Sequence, residues 1–145
     1  MNRRFFGKTG LRGFSFLLAA FFALAVGGMP LLAQKPALSM LDELDKGRWE
    51  LRIRGEAGAP QRLCLGDARR FIQLKHAAIA NCERLIVLDS DDAVTIQYTC
   101  RGSGYGRTSI RRETARLVQI ESQGIADGLP FAFSGEARRV SACSG

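Results

Sequence analysis

A chain of 145 residues, 46% of them hydrophobic, can hold one domain with a buried core; it is too short for two ordinary domains and too apolar to stay disordered. Lysine and arginine outnumber aspartate and glutamate 21 to 14, but Arg3, Arg4, Lys8 and Arg12 all precede the first acidic residue, Asp42. Beyond them the balance is 17 to 14, a net +3, which removes the main argument for a nucleic-acid partner.

The first 33 residues have the layout of an export signal: the four basic residues, an apolar run over 14–26, a break at Gly27, Gly28 and Pro30, then Leu31-Leu32-Ala33 ahead of Gln34. Extended to Ala33, the apolar stretch approaches the roughly 20 residues of a membrane span, so a retained anchor is the alternative. The Gly-Gly-x-Pro break favours a signal peptide cleaved near Ala33, a mature form without a transmembrane anchor, and a periplasmic destination. No cysteine follows the run directly, which excludes a lipoprotein. Arg3-Arg4-Phe5-Phe6-Gly7-Lys8 leaves twin-arginine export open beside the general secretory route.

After a tether over 34–37, a single domain is expected over 38–145. Leu38, Leu41 and Leu44 stand at helical spacing with Ser39 as a cap, predicting a short helix over 38–46 that Gly47 ends. Residues 48–54 alternate strictly, with Trp49, Leu51 and Ile53 on one face and charged residues on the other, and predict the first strand. A turn over 55–60 leads to a second strand over 61–65. Asp67 then caps a helix over 68–80, with Phe71, Ile72 and Leu74 inward and Arg69, Arg70 and Lys75 outward.

Two β-prone runs, 83–88 and 93–101, flank the acidic turn 89–92 and predict a hairpin. One register sets Leu88 against Val94, Ile86 against Ile96, Arg84 against Tyr98 and Cys82 against Cys100. Gly102-Ser103-Gly104-Tyr105-Gly106 reads as a hairpin turn, because a phosphate-cradling loop would open a helix and the following residues are β-like. Strands over 107–114 and 117–122, and one or two over 129–140 with a kink at Gly135, complete the chain. The expected fold is mainly β: a curved antiparallel meander of six or seven strands, open or closed into a partial barrel, with one or two short helices.

All four cysteines, Cys64, Cys82, Cys100 and Cys143, follow the leader, with spacings of 18, 18 and 43 and no Cys-x-x-Cys pair. An even count in an exported domain of this size reads as two disulfides rather than zinc ligands or a redox motif. The hairpin register favours Cys82 with Cys100 and hence Cys64 with Cys143; the sequential pairing, Cys64 with Cys82 and Cys100 with Cys143, is the alternative.

The sequence offers few candidates for chemistry. His76 is the only histidine and has no cysteine or carboxylate at motif spacing, so a structural or surface place is expected. Ser103, Ser109 and Ser134 lack a nucleophile-elbow context, and Asp89, Asp91 and Asp92 lack the length and distal glutamate of a calcium loop. No catalytic residue, metal site or cofactor is expected. Arg107, Arg111, Arg112, Arg116, Arg138 and Arg139 are the candidates for a face that meets an anionic lipid, glycan or acidic partner, against a dispersed solvated face. Ile125, Leu129, Phe131 and Phe133 either line an apolar pocket or fill the core.

Gly47-Arg48-Trp49-Glu50, Leu63-Cys64-Leu65, Asn81-Cys82-Glu83, Tyr98-Thr99-Cys100 and the basic strand leading to Cys143 resemble, in that order, the proteobacterial envelope family catalogued as domain of unknown function 3617. Its members typically read Gly-Leu-Trp-Glu at the first strand, a Cys-Val-Thr-like element, two mid-chain cysteines and a Gly-x-Cys ending. This chain departs at Arg48, at Gly66 and at Ser141-Ala142. The resemblance spans about 38–145 and implies a β-rich envelope protein; the family has no established activity and carries over no catalytic residues. Three expectations of function follow. The first is a non-catalytic binding module for an apolar or lipid-like small molecule, held between sheet and helix. The second is an interaction or inhibitor-like module using the arginine face on an envelope protein. The third, least supported, is a hydrolase built around His76.

Overall fold

Alternating apolar and polar residues dominate the chain after Gly47, and the structure, a computed structural model describing residues 37–79 and 81–143, turns them into one antiparallel sheet. The leader, its cleavage point and all of the expected tether except Ala37 lie outside the described residues. Among the described residues there are seven strands: β1 (Gly47–Ile53), β2 (Gln61–Leu65), β3 (Glu83–Asp89), β4 (Ala93–Cys100), β5 (Gly104–Thr114), β6 (Leu117–Ala126) and β7 (Leu129–Ser141). They lie in the order β2-β1-β7-β6-β5-β4-β3, an open sheet whose outer strands are β2 and β3. From β3 to β7 every connection is a hairpin. The first hairpin, β1-β2, joins the sheet by pairing β1 with β7.

The link from β2 to β3 must cross the whole sheet. It does so as a 3-10 helix, Ala68–His76, where an α-helix over 68–80 is expected from the sequence. Asp67 caps it, accepting from the Arg69 amide. Two features break the α-helical ladder. Gln73 has non-helical backbone angles (φ −128°, ψ 48°), and the Ile72 carbonyl accepts at 2.6 Å from the Thr108 hydroxyl. The segment therefore settles in short helical turns pressed on the sheet, burying Ala68, Phe71, Ile72, Gln73 and His76.

The N-terminal helix, α1 (Ser39–Asp42), is also shorter than expected. The amides of Glu43 and Leu44 bond back three residues, tightening the last turn, and the Asp45 amide donates instead to the Ala115 carbonyl between β5 and β6. Leu41 and Leu44 stay buried even though the helix ends early.

In the β3-β4 hairpin Ile86 faces Ile96 and Arg84 faces Tyr98, but Leu88 faces Thr95 rather than Val94, because Val87 is bulged and shifts the register by one. The β4-β5 turn is tighter than the five residues 102–106: Ser103 N bonds Cys100 O and β5 begins at Gly104. β6 runs on to Ala126, where Asp127 and Gly128 (φ 52° and 80°) make a two-residue turn into β7, which continues unbroken past Gly135.

One face of the sheet carries the core: Trp49 and Leu51 from β1, Val94, Ile96 and Tyr98 from β4, Ile110 from β5, Val118 and Ile120 from β6 and Ala137 from β7 are all at most 1% exposed. Met40 and Leu41 of α1, with Phe71 and Ile72 of the 3-10 helix, close over them. Trp49 meets Phe71 edge to face at 5.4 Å, and its indole N–H donates to the Asp45 carbonyl at 3.0 Å. Each of the larger aliphatic side chains and Phe71 contributes roughly 1.5–3 kcal/mol by burial. The bonds Cys64–Cys143 and Cys82–Cys100 tie the C-terminus to β2 and the crossover to the end of β4. Two disulfides in a domain of this size point to an oxidising, extracytoplasmic environment. No helix among the described residues is long and apolar enough to cross a membrane.

Candidate functional site

Two places in the fold concentrate polar chemistry. One is buried under the 3-10 helix, the other open on the opposite face.

The buried place is built on His76, the last residue of the 3-10 helix, which is 3% exposed. Its Nε2 lies 3.1 Å from the Ser103 carbonyl oxygen and its Nδ1 lies 3.1 Å from the Tyr98 hydroxyl. A carbonyl only accepts, so Nε2 carries the proton; in the neutral ring Nδ1 then accepts from the Tyr98 O–H. The ring stands edge to face with Tyr98 and Phe131. Burial pushes the Tyr98 phenol up to about 12. Beside it, Gln73 donates to the His76 and Ile79 carbonyls and accepts from Arg84, and Thr108 shares a 2.7 Å hydrogen bond with Ser122. Both ring nitrogens of His76 thus have partners within the core, and neither partner is a serine hydroxyl or a carboxylate.

The glycine-rich segment belongs to this arrangement. A Cβ at Gly106 would lie 2.5 Å from the Tyr98 ring, and one at Gly104 would lie 3.2 Å from His76 Nε2. Gly106 thus leaves room for the Tyr98 ring, while Gly104, with φ 122° and a would-be Cβ 2.0 Å from the Ile125 carbonyl oxygen, is required by the close approach of β6 as well as by His76.

The open place lies on the face turned away from the helices. Cross-strand pairing lines up Gln97, Arg107, Gln123 and Ala132 in one row and Thr95, Ser109, Glu121 and Ser134 in the next. These rows floor a trough of about 590 Å³ walled by Arg54, Arg107 and Glu121, and a second hollow of about 420 Å³ extends it past Gln97 and Tyr105. Arg54 is steadied by Gln119 at 2.9 Å, which in turn donates to Glu136. Thr95 and Ser109 share a hydrogen bond at 2.9 Å. The guanidinium of Arg107 and the carboxylate of Glu121 make no hydrogen bond or ion pair among the described residues. The trough thus offers charge and hydrogen-bonding capacity that the fold itself does not consume.

The six candidate arginines are divided by the sheet. Arg107, Arg111 and Arg138 are on the open face, where Arg111 pairs with Glu113 and Arg138 with Glu136. Arg112, Arg116 and Arg139 sit at the end of the sheet that holds the N-terminal segment: Arg112 meets Glu43 at 3.1 Å, Arg116 lies 3.9 Å from Asp45, and Arg139 donates to the Lys46 carbonyl. These three anchor the approach to β1. Phe131 and Phe133 are half-buried on the helix-covered side, stacked at 6.4 Å with Lys75 over the Phe133 ring, and Leu129 is exposed.

Arg54, Glu121 and Gln123 were not among the sequence candidates. The available signal was the polar alternation at 107, 109 and 111 and again at 119, 121 and 123, which marks one shared face once the two strands are paired. The turn aspartates are held internally, Ser90 bridging to Asp92 and Arg112 donating to the Asp91 carbonyl, and no group of three or more potential metal ligands occurs among the described residues. Comparison with protein-family models, with curated proteins and with solved structures finds no match for the chain.

Proposed function

We propose that the protein is a non-catalytic binding module of the bacterial periplasm, exported by a leader cleaved near Ala33, whose open sheet face receives an acidic segment of a partner protein. The observation that carries this reading is Arg107: an exposed cation at the junction of the trough and the adjoining hollow, with no partner of its own among the described residues. Arg54 adds a second cation, Gln97, Gln123, Ser109 and Ser134 supply hydrogen bonds beside the charge, and the net charge of +3 beyond the leader favours an acidic ligand. The four-cysteine order and the tryptophan motif support membership of the envelope family named above.

The reading as a carrier of an apolar small molecule draws less support. The space between sheet and helices is filled by Trp49, Met40, Leu41, Phe71 and Ile72, all at most 2% exposed. A hydrolase centred on His76 would have to break both of that ring's core hydrogen bonds.

The test places a photocrosslinking amino acid at Gln123 in protein expressed in its own host. A protein adduct that weakens with salt and disappears in Arg107→Glu is expected. An adduct equally strong in Arg107→Glu, or an apolar molecule retained in a native mass spectrum and released on denaturation, would overturn the reading.

A further inference from the structure

The two edges of the sheet are treated differently. At one edge β2 is short: it follows Pro60, carries the exposed Arg62, and is stapled by the Cys64–Cys143 bond, all features that discourage another strand from pairing there. At the other edge β3 is seven residues long, has no proline or lysine, and exposes Leu85, Ile86, Val87 and Leu88 at 63%, 41%, 46% and 48%. Every residue of β3 is exposed, and among the described residues β4 is its only strand neighbour. An unprotected apolar edge of this length is a template for an added strand.

Its side chains state which strand would fit. Arg84, Ile86 and Asp89 face Tyr98, Ile96 and Val94 on the helix-covered side, while Glu83, Leu85 and Leu88 face Thr99, Gln97 and Thr95 on the open side. In a regular strand Arg84 and Asp89, five residues apart, would project to opposite faces. The bulge at Val87 puts both on the same face, each two pleat steps from Ile86. A two-fold axis through Ile86 then sets Arg84 of one copy against Asp89 of the other, twice over, with Leu85 against Leu88 on the reverse face. Arg84 spends one Nη on Gln73, and Asp89 spends one oxygen on the Leu38 amide, which leaves the remaining donors and the other oxygen for this pair.

We propose that β3 is the contact strand of a homodimer, in which two copies pair their β3 strands antiparallel about Ile86 and merge their sheets into one. The strand is complementary in charge and in apolar side chains to a second copy of itself, as an isologous interface requires. The trough around Arg107 opens on the faces of β5 and β6, away from this edge, so the dimer would present two troughs on one continuous surface.

Sedimentation velocity on the disulfide-bonded protein, purified from an oxidising compartment, tests the proposal over a concentration series. The wild type should dimerise. Leu85→Lys, at an exposed open-face position, should raise the dissociation constant at least about tenfold while its far-UV spectrum and melting remain native. Arg84→Asp should weaken the dimer about tenfold, and adding Asp89→Arg should recover most of the loss. A wild type that stays monomeric to about 100 μM, a dimer indifferent to Leu85→Lys, or a charge swap that fails to recover would overturn it.

Discussion

Gly106 lies directly across the β4-β5 pair from Tyr98, and the phenol ring occupies the space that a side chain at 106 would need. The ring is thereby held against His76, whose other nitrogen grips the Ser103 carbonyl in the turn joining the same two strands. One glycine, one tyrosine and one histidine thus fix where the 3-10 helix meets the sheet.

Gly106→Ala should therefore destabilise the fold by about 1–3 kcal/mol, since the Cβ would meet the ring at 2.5 Å and Tyr98 is packed on all sides. Gly66→Ala is the control: it has open space around the new methyl and no left-handed backbone to oppose it, so its effect should be near zero. Urea unfolding of the two variants measures both.

The Tyr98 phenol, pushed up to about 12 by burial, gives the alkaline limb of stability a definite sign. Between its ordinary value near 10 and about 12, the unfolded chain loses this proton and the folded chain keeps it, so stability falls as pH rises through that window. The contribution is of order 2–3 kcal/mol at its upper end. Tyr98→Phe cannot ionise: it should be less stable than the wild type at pH 7 by about 1 kcal/mol for the lost hydrogen bond, and the gap should close or reverse by pH 11 to 12. Unfolding curves at pH 7, 10 and 11.5 decide it; a gap that stays constant would show that the phenol does not titrate with folding.

The parts of the fold that follow from alternation were legible in the sequence. Trp49, Leu51 and Ile53 set β1, and the cysteine and isoleucine register of the β3-β4 hairpin anticipated the Cys82–Cys100 bond. What was not legible depended on tertiary hydrogen bonds. The Thr108 hydroxyl on Ile72 and the extended backbone at Gln73 turned an expected α-helix into 3-10 turns. The Asp127-Gly128 turn was readable and would have extended β6 to Ala126; its residues have the signature of a two-residue hairpin. The bulge at Val87 left no mark in a run of four apolar residues. The trough was the hardest to see, because Arg54, Arg107, Glu121 and Ser134 come from four separate stretches and share a face only after the strands pair.

The two disulfides should differ in worth. The chain-entropy account gives about 4.5 kcal/mol for Cys64–Cys143, which closes a separation of 79 residues, and about 3 kcal/mol for Cys82–Cys100, which closes 18. The paired variants Cys64→Ser with Cys143→Ser, and Cys82→Ser with Cys100→Ser, avoid stray thiols. Denaturation midpoints should fall further for the first pair. The opposite order would mean that the β2 edge and C-terminus open with little loss, and that the core under the 3-10 helix depends on the shorter loop.

Asp42 and Arg69 join α1 to the 3-10 helix through two hydrogen bonds of 2.5 and 3.1 Å. The Arg69 guanidinium, chiefly through these bonds, holds the Asp42 carboxyl below its ordinary value. A carboxyl whose folded value is depressed contributes stability that is full above its unfolded value, near 4, and is lost as pH falls through the folded one. The wild type should consequently lose stability below pH 4 more steeply than Asp42→Asn, which keeps the side-chain shape but cannot bind the extra proton. Arg69→Gln should flatten the same limb by removing the cause of the shift, without altering Asp42 itself. Because the pair is exposed to solvent, added salt should shrink the difference between wild type and Asp42→Asn. Urea titrations at pH 2.5, 4 and 6, at low and high salt, supply the slopes; identical acid limbs in wild type and Asp42→Asn would remove this pair from the account of how α1 is held.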